Sequence, residues 1–299
     1  MFLILATLWG TSFVAIEVGL HHFPPILFAA LRYDVAGLIV LGYALYSTDR
    51  WRPRERDEWL QTAVTAVFVF AAYHALLYIG EQHISGAVAA VVISLSPILT
   101  AGFGSVLKVD DPLQPLGAIG FLCGIAGVVV VVQPEPGTAL STSLLGVLLV
   151  FIAGTSFALG TVLTRPLDSG LPVQTMEGWS MLLGAGLLHV VSLGRGESFT
   201  AIEWTGPAVV SLTYLTLVSG VVAFLLYFEL LDRLGPTEIN LVGYLEPVVA
   251  TVATWLLFGD LVDSTTLFGF TIIFAGFALI KRHALSGYLR RRLPTDRLP

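Results

Sequence analysis

Ten apolar runs, each close to twenty residues long, fill most of this chain, near 2–20, 26–46, 60–79, 86–107, 115–132, 143–163, 175–193, 207–230, 238–258 and 265–281. A helix rises 1.5 Å per residue, so about 20 residues cross roughly 30 Å of hydrocarbon. In lipid the backbone must satisfy its own hydrogen bonds, which leaves helices or a closed barrel. The short alternating strands of a barrel are absent. The runs therefore predict an all-α integral membrane protein with ten transmembrane helices. Composition agrees, because 56% of the 299 residues are hydrophobic and only 12% are charged, with a mean hydropathy of +0.84. The first run lacks a basic leader and a small-residue cleavage site, so it reads as a retained span rather than a signal peptide.

Charge placement predicts orientation, because positively charged loops stay in the cytoplasm. With Met1 inside, 13 of the 15 lysines and arginines fall on inner loops or the tail, only Arg195 falls outside, and Arg32 lies within a helix. Both termini are thus expected in the cytoplasm of a prokaryotic plasma membrane. The "TDRWRPRERDEW" segment also suits anionic lipid, although topology alone accounts for it. A formal charge of −6 argues against a nucleic-acid partner. The single Cys123 permits no internal disulfide.

A second constraint is internal repetition. GTSF occurs at Gly10–Phe13 and again at Gly154–Phe157, 144 residues later. Pro25 and Gly37 are answered by Pro172 and Gly184, Leu76–Tyr78 by Leu225–Tyr227, Ser96-Pro97 by Glu246-Pro247, and Asp110 by Asp260, at spacings that drift from 147 to 150. The register holds over many turns, as in a duplication. Five helices per copy is an odd number, so the second copy enters from the opposite face. Inverted repeats of this kind place transporter substrate sites near the midplane between the copies and give the protein two comparable gates.

The stretches "LWGTSF", "PPILFAALRYDVAGLIVL", "YLEPVVATVATWLLFGD" and "LFGFTIIFAGFALIKR" resemble the EamA-type branch of the drug/metabolite transporter superfamily across nearly the whole chain. The resemblance implies tandem EamA repeats at 1–134 and 143–283, a basic cytoplasmic tail at 284–299, and export of small metabolites, amino acids or drug-like solutes. Asp260 stands where the family usually carries glutamate.

Candidate site residues follow from polar groups placed in lipid-spanning helices, where they are costly unless they face the bundle interior. In the ninth helix Asn240, Tyr244, Pro247, Thr251 and Thr254 share one face; the stripe reads equally as a cavity wall or as interhelical hydrogen bonding. Glu246 reads as a buried structural contact or as a proton carrier. Arg32 reads as the partner of Glu17 or as the receiver of a carboxylate substrate. His74, Tyr78 and Glu81 follow one face of the third helix, with Tyr73 beside them. Thr11, Ser94 and Thr155 complete the expected substrate-binding set. Pro97 and Pro247 are expected to bend their helices near the midplane, as static kinks or as hinges.

Gly117, Gly120, Gly124 and Gly127 form a stripe suited to close helix contact, either within the chain or across a homodimer, with a monomer equally compatible. No metal or cofactor is expected, because the histidines lack fixed ligand spacing. No P-loop, H-E-x-x-H or G-x-S-x-G motif is present, which argues against ATP drive and against an enzyme. The reading is a secondary transporter working by alternating access, with proton coupling at Glu246 or Glu17 as one option; a passive facilitator or channel is the alternative.

Overall fold

A computed structural model describes residues 1–109, 114–132, 142–167, 169–234, 242–259, 262–280 and 282. Among these residues there is no strand. Ten helical spans follow in series: α1 (Phe2–Leu20), α2 (Pro25–Ser47), α3 (Arg56–Gly80), α4 (Gly86–Val106), α5 (Pro115–Val132), α6 (Thr142–Thr164), α7 (Val173–Gly194), α8 (206–234), α9 (Val242–Phe258) and α10 (Ser264–Ile280). Seven are long and apolar enough to cross a membrane, and α5, α9 and α10 are shorter apolar helices. Leu38, Val190, Leu193, Val210, Leu256 and Phe268 project from the bundle as exposed apolar side chains. A belt of that kind suits lipid rather than water. Below, the face carrying Phe2 is the near face and the face carrying Leu20 the far face.

The packing maps onto itself when each helix is exchanged for the one five further along. Helix α1 packs on α9 and α8; correspondingly α6 packs on α4 and α3. The equivalent helices α2 and α7 pack on each other, as do α5 and α10. These equivalent pairs run antiparallel, since Gly37 meets Met181 and Leu182 while Gly178 meets Leu41. A twofold that relates antiparallel neighbours lies across the helices, in the membrane plane, so the repeats are inverted. The glycine stripe of α5 is filled within the chain: Gly276 of α10 lies against Gly120 and Gly124, and Gly269 lies against Gly127.

Local structure repeats as well. Pro24 and Pro172 cap α2 and α7 with nearly the same backbone angles, φ −58°, ψ 132° and φ −52°, ψ 132°. The structural equivalents are thus Pro24 and Pro172, one position from the sequence match at Pro25. The third and eighth helices each widen into a π-helical segment at matching places, Thr65–Ala72 and Tyr214–Val222. A π turn leaves carbonyls off the usual i→i−4 ladder, and here side chains collect them. Phe68 O accepts from Ser156 Oγ at 2.8 Å, Phe70 O lies 3.0 Å from His74 Nδ1, and Ser219 O accepts from Trp9 Nε1 at 3.3 Å.

The two prolines differ. Helix α4 breaks at Ser94 and Leu95 and restarts at Ser96, with Pro97 in the first turn of its second half. Proline brings no N–H, so that place costs it nothing. Leu95 N turns to Val92 O at 3.1 Å, and Ser94 Oγ donates to Val91 O at 2.6 Å. Pro247 instead lies inside α9, which continues through it without a break.

Candidate functional site

The GTSF motifs join the two halves. A Cβ on Gly10 would lie 2.8 Å from the Glu246 carbonyl oxygen, and one on Gly154 would lie 3.0 Å from Ser96 Oγ. Each motif's glycine therefore seats against the S/E-P pair of the opposite repeat. Each motif's serine then reaches the opposite π segment: Ser12 Oγ bonds Ser219 Oγ at 2.7 Å, and Ser156 Oγ bonds Phe68 O. The tetrapeptide is written twice because it makes the same two contacts twice.

Between these seams lies a polar cluster. Arg32 on α2 is 4% exposed and donates from Nη1 to Tyr78 Oη at 2.9 Å. Its guanidinium sits 4.6 Å from the centre of the Tyr33 ring, a cation–π contact, and its Nε has no partner among the described residues. Tyr33 Oη lies 2.5 Å from His74 Nε2. The Phe70 carbonyl can only accept, so His74 Nδ1 carries a proton toward it, while Nε2 bonds the Tyr33 hydroxyl. Both ring nitrogens of His74 are thereby engaged.

Carboxylates surround this cluster. Tyr73 lies in the field of Glu246, Glu81 and Arg32, and Tyr33 and Tyr227 lie in that of Glu177. Glu246 and Glu177 are half-buried, and Glu177 Oε2 has no partner among the described residues. Trp9 packs on Tyr227 at 5.4 Å between ring centres and extends the aromatic wall toward the near face. The arrangement brings one buried guanidinium, two tyrosines and His74 into contact between α2 and α3.

Other expected site residues are placed elsewhere. Thr11 Oγ1 bonds Thr7 O at 2.6 Å and the Tyr214 hydroxyl; Ser94 and Thr155 bond carbonyls of their own helices. Tyr244 turns toward α10, with its ring 4.0 Å from that of Phe277, so it does not join Arg32. Its hydroxyl and that of Thr254 lack partners among the described residues, and Thr251 is half-buried. Asn240 lies outside the described residues, as do Asp110 and Asp260. Glu17 Oε2 accepts from Gly86 N at 2.8 Å, at the start of α4. Asp34 bonds His189 Nε2 at 2.7 Å. Among the described residues no three of His, Cys, Asp and Glu are grouped to hold a metal ion.

Sequence reasoning missed Tyr33, Glu177 and Tyr227. It also missed that Arg50, in the arginine-rich segment, pairs with the buried Glu58 and donates to Gly170 O at 3.1 Å, lacing the α2–α3 loop to the start of α7.

The EamA-like transporter family model matches twice, at residues 1–133 and 144–282. This chain belongs to the EamA-like transporter family. Among its relatives, the uncharacterized transporter YvbV of Bacillus subtilis is 26% identical over 92% of this chain and 88% of its own. The uncharacterized inner membrane transporter YedA of Escherichia coli K12 is 27% identical over 82% and 78%. The WAT1-related protein At3g02690 of Arabidopsis thaliana is 25% identical over 91% and 66%. One solved crystal structure superposes with a TM-score of 0.66 at 20% identity, covering 98% of this chain and 97% of that one, a likeness of fold. The chain is a multi-pass membrane transporter.

Proposed function

We propose that this EamA-like protein is a secondary-active carrier that exports small organic solutes with a carboxylate, amino acids among them, by alternating access around the Arg32 cluster. The single observation that carries the reading is Arg32 itself. A guanidinium buried in a membrane bundle is expensive, yet this one is held by Tyr78 and the Tyr33 face with Nε left open. A forked cation with a spare donor suits a carboxylate, and Glu246 across Tyr73 suits a substrate amine or a coupled proton. In this reading the repeats span 1–134 and 143–283, the basic tail 284–299 and both termini face the cytoplasm, and the membrane is a prokaryotic plasma membrane.

The test is counterflow in proteoliposomes loaded with unlabelled amino acids and supplied with the labelled form outside. A carrier drives transient uphill accumulation of label; a facilitating pore does not. Arg32→Gln should abolish accumulation while the protein stays folded. Equal accumulation by wild type and Arg32→Gln would remove Arg32 from the substrate site, and simple equilibration by wild type would favour a passive facilitator.

A further inference from the structure

On the far face, between the end of α1 and the α3–α4 turn, a separate cavity of about 390 Å³ is lined by Glu17, Leu20, His21, Glu81, Gln82, His83, Ile84 and Ser85. Glu81 is only 5% exposed, and neither carboxylate oxygen has a hydrogen-bond partner among the described residues. A buried carboxylate with both oxygens unmatched is costly, and the group missing from it is a donor or a positive charge. Glu17 lies within its field and repels it, whereas Arg32 attracts it from below, where it is already engaged by Tyr78.

We propose that this vestibule is a binding site for the ammonium group of a small organic amine, distinct from the Arg32 cluster beneath it. Three N–H donors on an ammonium match the unfilled oxygens of Glu81. The room available is that of roughly a dozen water molecules, far more than a bare ion fills, and Leu20 and Ile84 offer apolar walls for a short carbon chain. A metal ion is the poorer match, since no group of three suitable ligands exists among the described residues. The site stands on its own geometry and does not depend on the carrier reading.

Protons compete for the same carboxylate. Burial first, and then the charge of Glu17, push Glu81 well above the usual carboxylate range. The other titratable groups that face it are Arg32 from α2, Tyr73 and Tyr78 from α3, and His21 and His83 from the turns. A protonated Glu81 cannot hold an ammonium as an anion does, so affinity rises with pH.

The test is calorimetric titration of the detergent-purified full chain with n-butylammonium, with n-butanol as the neutral control. Expected is saturable butylammonium binding that releases a proton, seen as a heat that varies with the ionisation enthalpy of the buffer, and no matching binding of butanol. Glu81→Gln should weaken butylammonium at least about tenfold, which is 1.4 kcal/mol. Overturning results are no butylammonium binding at high pH, equal affinity for butanol, binding without proton release, or an affinity untouched by Glu81→Gln. Proton release is read on wild type, so a poorly folded variant does not rescue the proposal.

Discussion

Gly10→Ala tests the seam between the repeats most directly. The added methyl would lie 2.8 Å from the Glu246 carbonyl oxygen and 2.7 Å from Val249 Cβ, where ordinary contact begins near 3.4 Å, so α1 and α9 must part by about 0.6 Å. The obstacle is main chain, which no rotamer change can move aside. Overpacking of this sort costs about 1–3 kcal/mol, and the upper end applies here. Alanine returns roughly 1 kcal/mol over glycine as a helix former, leaving a net loss near 2 kcal/mol, or about 4–8 °C in Tm. Two comparisons isolate the cause. In Gly154→Ala the methyl meets Ser96 Oγ at 3.0 Å, a side-chain atom that can rotate away, so Tm should stay near wild type. Gly186, in the middle of α7, has nothing within 4 Å, so Gly186→Ala should gain up to about 2 °C. Thermal unfolding of the three variants in one detergent, followed by tryptophan fluorescence, ranks them. A Gly10→Ala protein as stable as Gly154→Ala would refute the claim that α1 meets the main chain of α9 at this glycine.

Other outcomes follow from the same geometry. Ser12→Ala and Ser156→Ala each remove one bond from a GTSF motif to a π segment, and should each cost about 0.5–1.5 kcal/mol in denaturant unfolding. Glu197 caps the start of α2, accepting from Ile26 N and Leu27 N at 3.3 and 2.8 Å; Glu197→Gln should lose about 1 kcal/mol through the weakened interaction with the helix terminus, read as a lower Tm. The elevated Glu81 carboxyl binds its proton more tightly folded than unfolded, so its contribution to stability is full at acid pH and falls as pH rises through that range toward the folded value. Tm measured against pH should show this decline in wild type, and Glu81→Gln should flatten it.

Much of the frame was legible because lipid leaves the chain few choices. Apolar length gave the spans, and spacings of 144 to 150 gave the repeat. The break in α4 was half legible, since Pro97 announced a bend while the interruption itself falls on Ser94 and Leu95. The bend expected at Pro247 has no counterpart in a break of α9. The π segments carried no signal: "TAVFVFAA" contains no breaker, and its widening depends on the partners that collect its carbonyls. Depth along a helix placed Arg32 near Glu17, but depth does not fix the angle at which a side chain leaves its helix. Arg32 donates to Tyr78, and Glu17 accepts from the start of α4. Tyr33 was passed over for the same reason, because its role appears only when His74, from another helix, stands opposite.

The frame is nearly symmetric, whereas the chemistry inside it is not. At matching positions the first repeat carries His74 where the second has Ala223, and Ser96 where the second has Glu246, whereas Tyr78 and Tyr227 match. A symmetric frame makes two end states close in energy, because each repeat can adopt the contacts of the other. An asymmetric lining then decides which solute senses the difference between those states, since a ligand shifts an equilibrium only by its differential affinity. In the proposed carrier cycle, the burden of selectivity therefore falls on the unmatched residues, Arg32, His74 and Glu246, and the burden of motion on the matched ones, the GTSF glycines and serines. Substitutions in the first set should alter which solutes compete for counterflow, with thermal stability retained. Substitutions in the second set should slow counterflow of every solute alike, and a solute-specific effect of Ser12→Ala or Ser156→Ala would break this division.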